Sequence, residues 1–276
     1  MTRIGIVSRQ QESDLARIPH VARLIEDAGG TVVAEPELRS ADVVLVLGGD
    51  GTILRAAEGV RGTDIPVIGV NFGHVGFLAE ADPESLADVV ARLVARDFTV
   101  ETRMTLAVRV TQPDGSVETG WALNELALEK VERARMVDLT IGVDDHPISS
   151  YSCDALVVST PTGSTAYAFS AGGPVVWPNV EAILIVPIAA HALFARPLVV
   201  GPDSTITVVM NEMGFVDGEL WCDGRRRLAA PVGSHIEITH AEEPVHLARL
   251  WTSPFSGRLV AKFKLPVRSW RHQERP

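Results

Sequence analysis

Apolar residues recur along this chain in two rhythms, and one gives way to the other near Phe98. In the first third, short β-branched runs alternate with segments of helical spacing. Residues 3–7 (RIGIV) predict a strand. ESDLARIPHVARLIEDAGG then places Leu15, Ile18, Ala22 and Ile25 on one helical face and stops at Gly29 and Gly30, with Pro19 awkward in its first turn. TVVAE predicts a short strand, and DVVLVL (residues 42–47) a strand buried on both faces. A helix is expected from about Thr52, carrying Ile53, Leu54, Ala56 and Ala57, and a further buried strand over residues 65–73. Residues 83–97 predict a helix with proline at its start and Leu86, Val89, Val90, Leu93 and Val94 on one side. Strands alternating with helices imply a parallel sheet covered on both faces.

Beyond Phe98 the period shortens to two. TLAVRVTQPDGSVETGWALNELALE reads as strand, turn, strand, with turn chemistry at Pro113–Gly115, and DLTIGVDDHPISSYSCDALVVS repeats the style around Asp144 and Asp145. STITVVM, ELWCDGRRRLAA and HIEITHA add further strands. The expected fold is an α/β domain with a parallel sheet over residues 1–98, followed by an antiparallel, sandwich-like all-β domain over residues 99–250. No Ser/Pro-rich linker separates them.

The strand at residues 42–47 leaves through Gly48-Gly49-Asp50-Gly51-Thr52. In open α/β sheets ligands bind outside the carboxyl ends of the strands. Glycines let backbone approach a ligand closely, and successive N–H groups at a helix start suit a phosphate. Asp50 would then be an anion beside anions, a position suited to holding a magnesium ion, taking up a proton, or both in turn. A second reading also stays open, a tight turn in which Asp50 or Thr52 caps the helix. Neither a Walker loop nor a GxGxxG fingerprint is present.

A second stretch, DALVVSTPTGSTAYAFSAGGP from Asp154, is a strand running into an uncharged segment rich in hydroxyls and glycine. A loop of this length suggests a ligand, with the face of Tyr167 available to a base; the competing reading is a glycine-rich connection packed between sheets. Composition narrows the function without naming it. The chain has 276 residues, is 46% hydrophobic, and carries a formal charge of −10. That charge argues against a nucleic-acid partner but leaves room for a small phosphorylated ligand. Two cysteines, no signal-like N-terminus and no bilayer-length apolar run fit a cytoplasmic protein with reduced thiols and no membrane partner. No cysteine or histidine spacing suggests zinc.

GGDGT, NFGHVGFLAE, the Asn124–Glu125 pair, DALVVSTPTGSTAYAFSAGGP and HALFARPLVV occur in an order and at a spacing that resemble the NAD kinases, over roughly residues 43–200 and more weakly to the C-terminus. GGDG alone is shared with diacylglycerol, sphingosine and fructose-6-phosphate kinases. The resemblance implies transfer of a phosphoryl group from ATP or inorganic polyphosphate, with Mg2+ or another divalent cation, to the 2′-hydroxyl of the adenosine ribose of NAD. It implies Asp50 as general base. Ligand contacts are implied for Gly48, Gly49, Gly51, Arg55, Phe77 (adenine pocket), Asn124 and Glu125 (base and ribose hydroxyls), Arg135, Asp154, and Thr165, Ala166, Tyr167, Ala168, Phe169 and Ser170. It further implies that the segment after about Trp251 returns to the first domain and that the protein is a homodimer or homotetramer. Arg135 in KVERARMV reads equally as a solvated charge, and His191 as packing. The late hairpin departs from the family, with Arg225 where glutamine is usual. A lipid or sugar kinase and a non-catalytic dinucleotide sensor are the rival functions.

Overall fold

The structure, a computed structural model, describes residues 1–9, 11–71, 76–79, 86–251 and 254–267. The chain forms two units, Met1–Thr102 with Val245–Pro276, and Arg103–Pro244. The first contains β1 (Arg3–Ser8), α1 (Glu12–Leu15), α2 (Ile18–Asp27), β2 (Thr31–Val33), β3 (Val43–Leu47), α3 (Asp50–Gly59), β4 (Val67–Val70), α4 (Leu86–Val94) and β5 (Thr99–Arg103), joined late in the chain by β18 (Val245–Arg249) and α6 (Phe255–Phe263). The sheet order is β2-β1-β3-β4-β18-β5. The β2–β1, β1–β3, β3–β4 and β4–β18 pairs are parallel.

Alternate residues of the strands explain the continuous apolar runs. Ile4, Ile6, Val43, Leu45, Leu47, Ile68 and Val70 share a core with Val21 and Ile25 of α2 and Val89, Val90 and Leu93 of α4. The opposite face carries small residues, with Gly5 against Leu38 and Gly69 against Ile53 of α3. The sheet is therefore buried on both faces. Pro19 splits the expected first helix: α1 ends at Leu15 and proline takes the second position of α2, where its missing N–H costs nothing. The start of the helix expected at 83–97 lies outside the described residues; its described part is Leu86–Val94.

Two boundaries differ from expectation. The first sheet extends past Phe98 to Arg103 and is rejoined at Val245 rather than at about 251. The cause is local. β5 is an edge strand whose TVETR sequence has four exposed residues of five, so its periodicity resembles an antiparallel strand.

The second unit holds β6 (Leu106–Thr111), β7 (Val117–Ala122), β8 (Glu125–Lys130), β9 (Val137–Val143), β10 (His146–Cys153), β11 (Ala155–Ser159), α5 (Tyr167–Ser170), β12 (Ile183–Ile188), β13 (Leu198–Val200), β14 (Ile206–Met210), β15 (Gly218–Cys222), β16 (Arg226–Ala230) and β17 (His235–His240). They make two six-stranded antiparallel sheets, β10-β9-β14-β17-β6-β7 and β13-β12-β11-β8-β15-β16. One core joins them, with Leu106, Val108, Leu139, Ile141, Ile236 and Ile238 from the first and Leu126, Leu128, Leu156, Val158, Ile183 and Ile185 from the second. The second sheet is also covered on its other face, where Ala168 of α5 packs on Ala127, Val157, Leu184 and Val186. That double cover is why β11 and the start of β12 are apolar throughout. No described helix is long and apolar enough to cross a membrane.

A Cβ at Gly69 would run into Ile53 and lie 3.3 Å from the Ala79 Cα. Gly69→Val should therefore lower stability by about 1–3 kcal/mol through overpacking beneath α3, read as a lower urea midpoint with an unchanged slope. An unshifted midpoint would contradict this packing.

Candidate active site

The order β2-β1-β3-β4 reverses direction at the β1/β3 boundary, and the chain segments leaving those strands open a crevice there. A cavity of about 480 Å³ occupies it, lined by Arg9 after β1, by Gly48, Gly49 and Asp50 after β3, and by Asn71 after β4, with Gln11, Ser13, Asp14, Arg17, Gly76 and Lys262 around it. The glycine corner is tight: a Cβ on Gly48 would stand 2.6 Å from Thr52 Oγ1. Gly49 is the N-cap of α3, Asp50 its first residue, and neither Asp50 nor Thr52 makes a side-chain cap. The capping reading of the sequence is thus excluded, and the carboxylate turns elsewhere.

Asp50 accepts three main-chain hydrogen bonds: Phe77 N–H to Oδ2 at 3.0 Å, and Leu78 and Ala79 N–H to Oδ1 at 3.1 and 3.4 Å. A side chain on Gly76 would collide with that carboxylate. The 77–79 segment is held from behind by two arginines. Arg249 of β18, buried and paired with Glu101 at 2.8 Å, donates to the Leu78 carbonyl at 3.0 Å; Arg258 of α6 donates to the Phe77 carbonyl at 3.2 Å. Around the cavity, buried Asp14 lies 3.9 Å from Arg9 and forms a close ion pair with Arg17. Lys262 has no ion-pair partner among the described residues. The cavity therefore presents three cationic side chains and the half-buried backbone of Gly49, a setting for phosphate oxygens.

The second unit has its own polar centre. Between β7 and β8 the chain crosses from one sheet to the other at Leu123 and Asn124, so those residues lose ladder partners. Side chains replace them. Asp223 accepts the N–H groups of Leu123 (3.0 Å) and Asn124 (2.7 Å), and its own N–H donates to the Glu125 carbonyl at 2.9 Å. Thr160 donates through Oγ1 to the Leu123 carbonyl (2.6 Å) and through N–H to the Asn124 carbonyl (2.9 Å); the Ser159 hydroxyl reaches the latter at 3.1 Å. Gly163 packs so close to the Asn124 carbonyl that no side chain fits. With its main chain satisfied, the crossing leaves Asn124 Oδ1 and Glu125 Oε2 buried with no hydrogen-bond partner among the described residues. Unpaired buried acceptors are costly and mark a place for a ligand's donors.

Glu125 and Asp223 are two carboxyls in one buried site. Burial first, then the charge of Asp223, pushes the Glu125 carboxyl up to about 8, against the Tyr167 N–H that donates to it. Burial also raises Asp223, opposed by the N–H groups of Leu123 and Asn124 and by Arg226, whose Nη2 lies 2.8 Å away. The Asp223 carboxylate meets two N–H groups and the Arg226 guanidinium where Glu125 meets one N–H, so Glu125 is the member that holds the proton at neutral pH.

The other expected residues fall as follows. Thr165 ends a 3-10 turn (Gly163–Thr165), Ala166 links it to α5, and Tyr167 at the start of α5 places its N–H on Glu125. The Tyr167 ring and Phe169 are part-exposed, Ser170 is exposed, and Ala168 is buried in the core. Asp154 forms a short ion pair with Lys130. Gly51 is exposed, with open space where a Cβ would stand. The Arg55 guanidinium is committed to the Ser8 carbonyl and to Glu35 at 3.3 Å. The ring of Phe77 packs on Phe255 and Phe263, with centroids 6.0 and 5.7 Å apart. Arg135 is exposed beside Glu132. Arg225 lies at the apex of the β15–β16 turn, and His191 is exposed, its N–H on the Ser152 carbonyl. His74 of NFGHVGFLAE, a loop histidine that the sequence leaves open as a phosphate contact or a structural residue, lies outside the described residues. Sequence reasoning missed Arg9, Asp14, Arg17, Gly76 and Lys262; it named Thr160 only among the hydroxyls of the uncharged loop and Asp223 only as part of the late hairpin. Only the Asp-Gly turn at Asp223 carried a usable signal.

Fold and site together give an α/β unit with a cationic cavity at the switch point of its sheet and a β sandwich with buried acceptors left unpaired among the described residues. The model of the ATP-NAD kinase N-terminal domain matches residues 29–98, and that of the ATP-NAD kinase C-terminal domain matches residues 123–250. The chain is 50% identical over 280 residues to a NAD kinase of Thermobifida fusca, covering 98% of this chain and 84% of that one. To a NAD kinase of Leifsonia xyli it is 51% identical over 269 residues, covering 97% and 87%. Among solved structures, a NAD kinase from Archaeoglobus fulgidus in complex with ATP aligns with a TM-score of 0.80 at 28% identity, over 95% of this chain and 99% of that one. A yeast NADH kinase complexed with NADH shares the fold, with a TM-score of 0.87 at 21% identity over 98% and 89%. The chain belongs to the NAD kinase family.

Glu125 binds a proton in the folded chain that it has lost in the unfolded chain between about pH 4.5 and 8. The free protein should therefore lose stability, on the order of a few kcal/mol, as pH rises through that window, and level off above it. Glu125→Gln, which cannot ionise, should abolish that decline. Melting temperatures from pH 5 to 9 test this: parallel curves for the two proteins would rule it out.

Proposed function

We propose that this chain transfers the terminal phosphoryl group of ATP, or of inorganic polyphosphate, to the 2′-hydroxyl of the adenosine ribose of NAD, giving NADP. One observation carries the proposal: in a chain of the NAD kinase family, Asp50 stands in a cationic cavity at the switch point of the sheet with its carboxylate fixed by three amides. In the reaction the ribose oxygen forms the new bond to phosphorus, and its proton goes to Asp50. The bond from phosphorus to the bridging oxygen breaks, and the electron pair leaves on ADP or on the shortened polyphosphate. Arg9, Arg17, Lys262 and the Gly49 backbone take the donor's phosphate oxygens. Asn124 and Glu125 take the nucleotide's base and ribose hydroxyls, with Tyr167 beside them.

A divalent cation fits this donor set only if the phosphates carry most of it. Among the described residues no three His, Cys, Asp or Glu side chains gather to hold a metal. Asp14 is committed to Arg9 and Arg17, leaving Asp50 as the cavity carboxylate outside an ion pair. When bound, magnesium neutralises charge on the phosphates undergoing transfer.

Cytoplasmic location is supported by two free buried cysteines, the absence of a nucleic-acid partner by the −10 charge, and a homodimer or homotetramer by exposed Leu193, Phe194, Ile148 and Val199 on the β unit.

Incubation with NAD, ATP and magnesium should yield NADP; a sensor would bind NAD without turnover, and a lipid or sugar kinase would ignore it. Asp50→Asn should lower kcat by about 10²–10⁴-fold. Near-normal turnover would remove Asp50 from the chemistry. Lys262→Gln should raise KM for the phosphate donor by about tenfold, the loss of one charge-assisted contact, and leave KM for NAD unchanged. A change confined to NAD would place Lys262 elsewhere.

A further inference from the structure

The β15–β16 hairpin turns at Asp223 and Gly224, both with positive φ (53° and 62°). This is a type I′ turn, which matches the twist of the strands. Any Asp-Gly or Asn-Gly pair would serve the turn alone. Here the aspartate side chain is almost wholly buried and makes three further bonds, to the N–H groups of Leu123 and Asn124 and to Arg226. Arg226 in turn lies over the Trp121 ring, 4.2 Å from its centroid, on the strand that leads into the same crossing. The amides of the crossing are thus anchored by one carboxylate, and that carboxylate is braced by a cation stacked on an aromatic ring.

We propose that Asp223 is a positioning residue for the acceptor nucleotide: it holds the Leu123–Glu125 crossing so that Asn124 Oδ1 and Glu125 Oε2 stand unpaired toward the ligand, and it sets the charge that Glu125 meets. The proposal rests on the reading that Asn124 and Glu125 contact NAD. It assigns Asp223 no contact with substrate. The groups that face Glu125 are Asp223 with its Arg226 on the hairpin and Tyr167 on α5, whose N–H donates to Glu125 and whose phenol is itself influenced by it. The neighbouring residue on β11, Ser159, is neutral. Asp223 is the one negative charge among these groups. Removing it eases ionisation of Glu125, and removing Arg226 opposes it.

Initial rates with NAD as the varied substrate, from pH 5.5 to 9.5, test the proposal. In the unaltered protein kcat/KM for NAD should bend as Glu125 titrates. Asp223→Asn places an amide donor against a backbone donor and deletes the charge. KM for NAD should rise at least tenfold, KM for ATP should stay within about twofold, and the bend should move to lower pH. Arg226→Met keeps an apolar stem over Trp121 and leaves Asp223 in place. It should move the bend to higher pH with a smaller rise in KM. A purely structural loss would move KM and stability but not shift the bend in opposite directions. If Asp223→Asn does not fold, the upward shift in Arg226→Met decides alone. An unmoved bend in every folded variant, or an unchanged KM for NAD in Asp223→Asn, would overturn the role of Asp223. Asn124→Ala serves as the control: an unchanged KM for NAD there would sink the underlying site reading instead.

Discussion

Main-chain amides that leave a sheet must still find acceptors, and this chain meets that constraint twice with a carboxylate. Asp50 accepts the amides of residues 77–79, and Asp223 accepts those of Leu123 and Asn124. An amide buried without a partner costs about 1–3 kcal/mol, so each carboxylate is first a structural requirement. Each also brings a fixed negative charge into a polar site. The bonds that satisfy these amides also fix the polar groups of both candidate sites.

The two sites use that charge differently. Asp50 stands in a cavity with Arg9, Arg17 and Lys262, where it is an acceptor set among cations. Asp223 stands beside Glu125, where it opposes a second ionisation and leaves a neutral carboxyl with a free oxygen. Both depend on supports further out. Arg249 and Arg258 hold the carbonyls of Leu78 and Phe77, and Trp121 carries the guanidinium that pairs with Asp223. The chain as a whole is strongly acidic, yet the basic groups needed for an anion are concentrated where strands of the first sheet end.

Much of the fold was legible because burial leaves periodic traces. Continuous β-branched runs at Val43–Leu47 and Val67–Val70 marked strands covered on both faces, and the helical stripe at Leu86, Val89, Val90 and Leu93 marked a covering helix. Period-two alternation marked the sandwich. The failures have equally local causes. β5 is a polar edge strand, so the boundary at Phe98 came too early, and Pro19 opened a second helix rather than marring the first.

The linear order of residues determined what can be read over a few positions: strand and helix periods, the glycine corner with its carboxylate, the polar pair at Asn124 and Glu125, and the uncharged loop before α5. Only the tertiary structure decided which distant groups complete those features. Asp50 meets amides 27 to 29 residues away, Asn124 meets a carboxylate 99 residues away, and Arg249 reaches Leu78 across 171 residues. A hydrogen bond has a reach of about 3 Å and no memory of sequence separation, so the partner of a buried polar group is chosen by how the sheets pack and leaves no period in the chain.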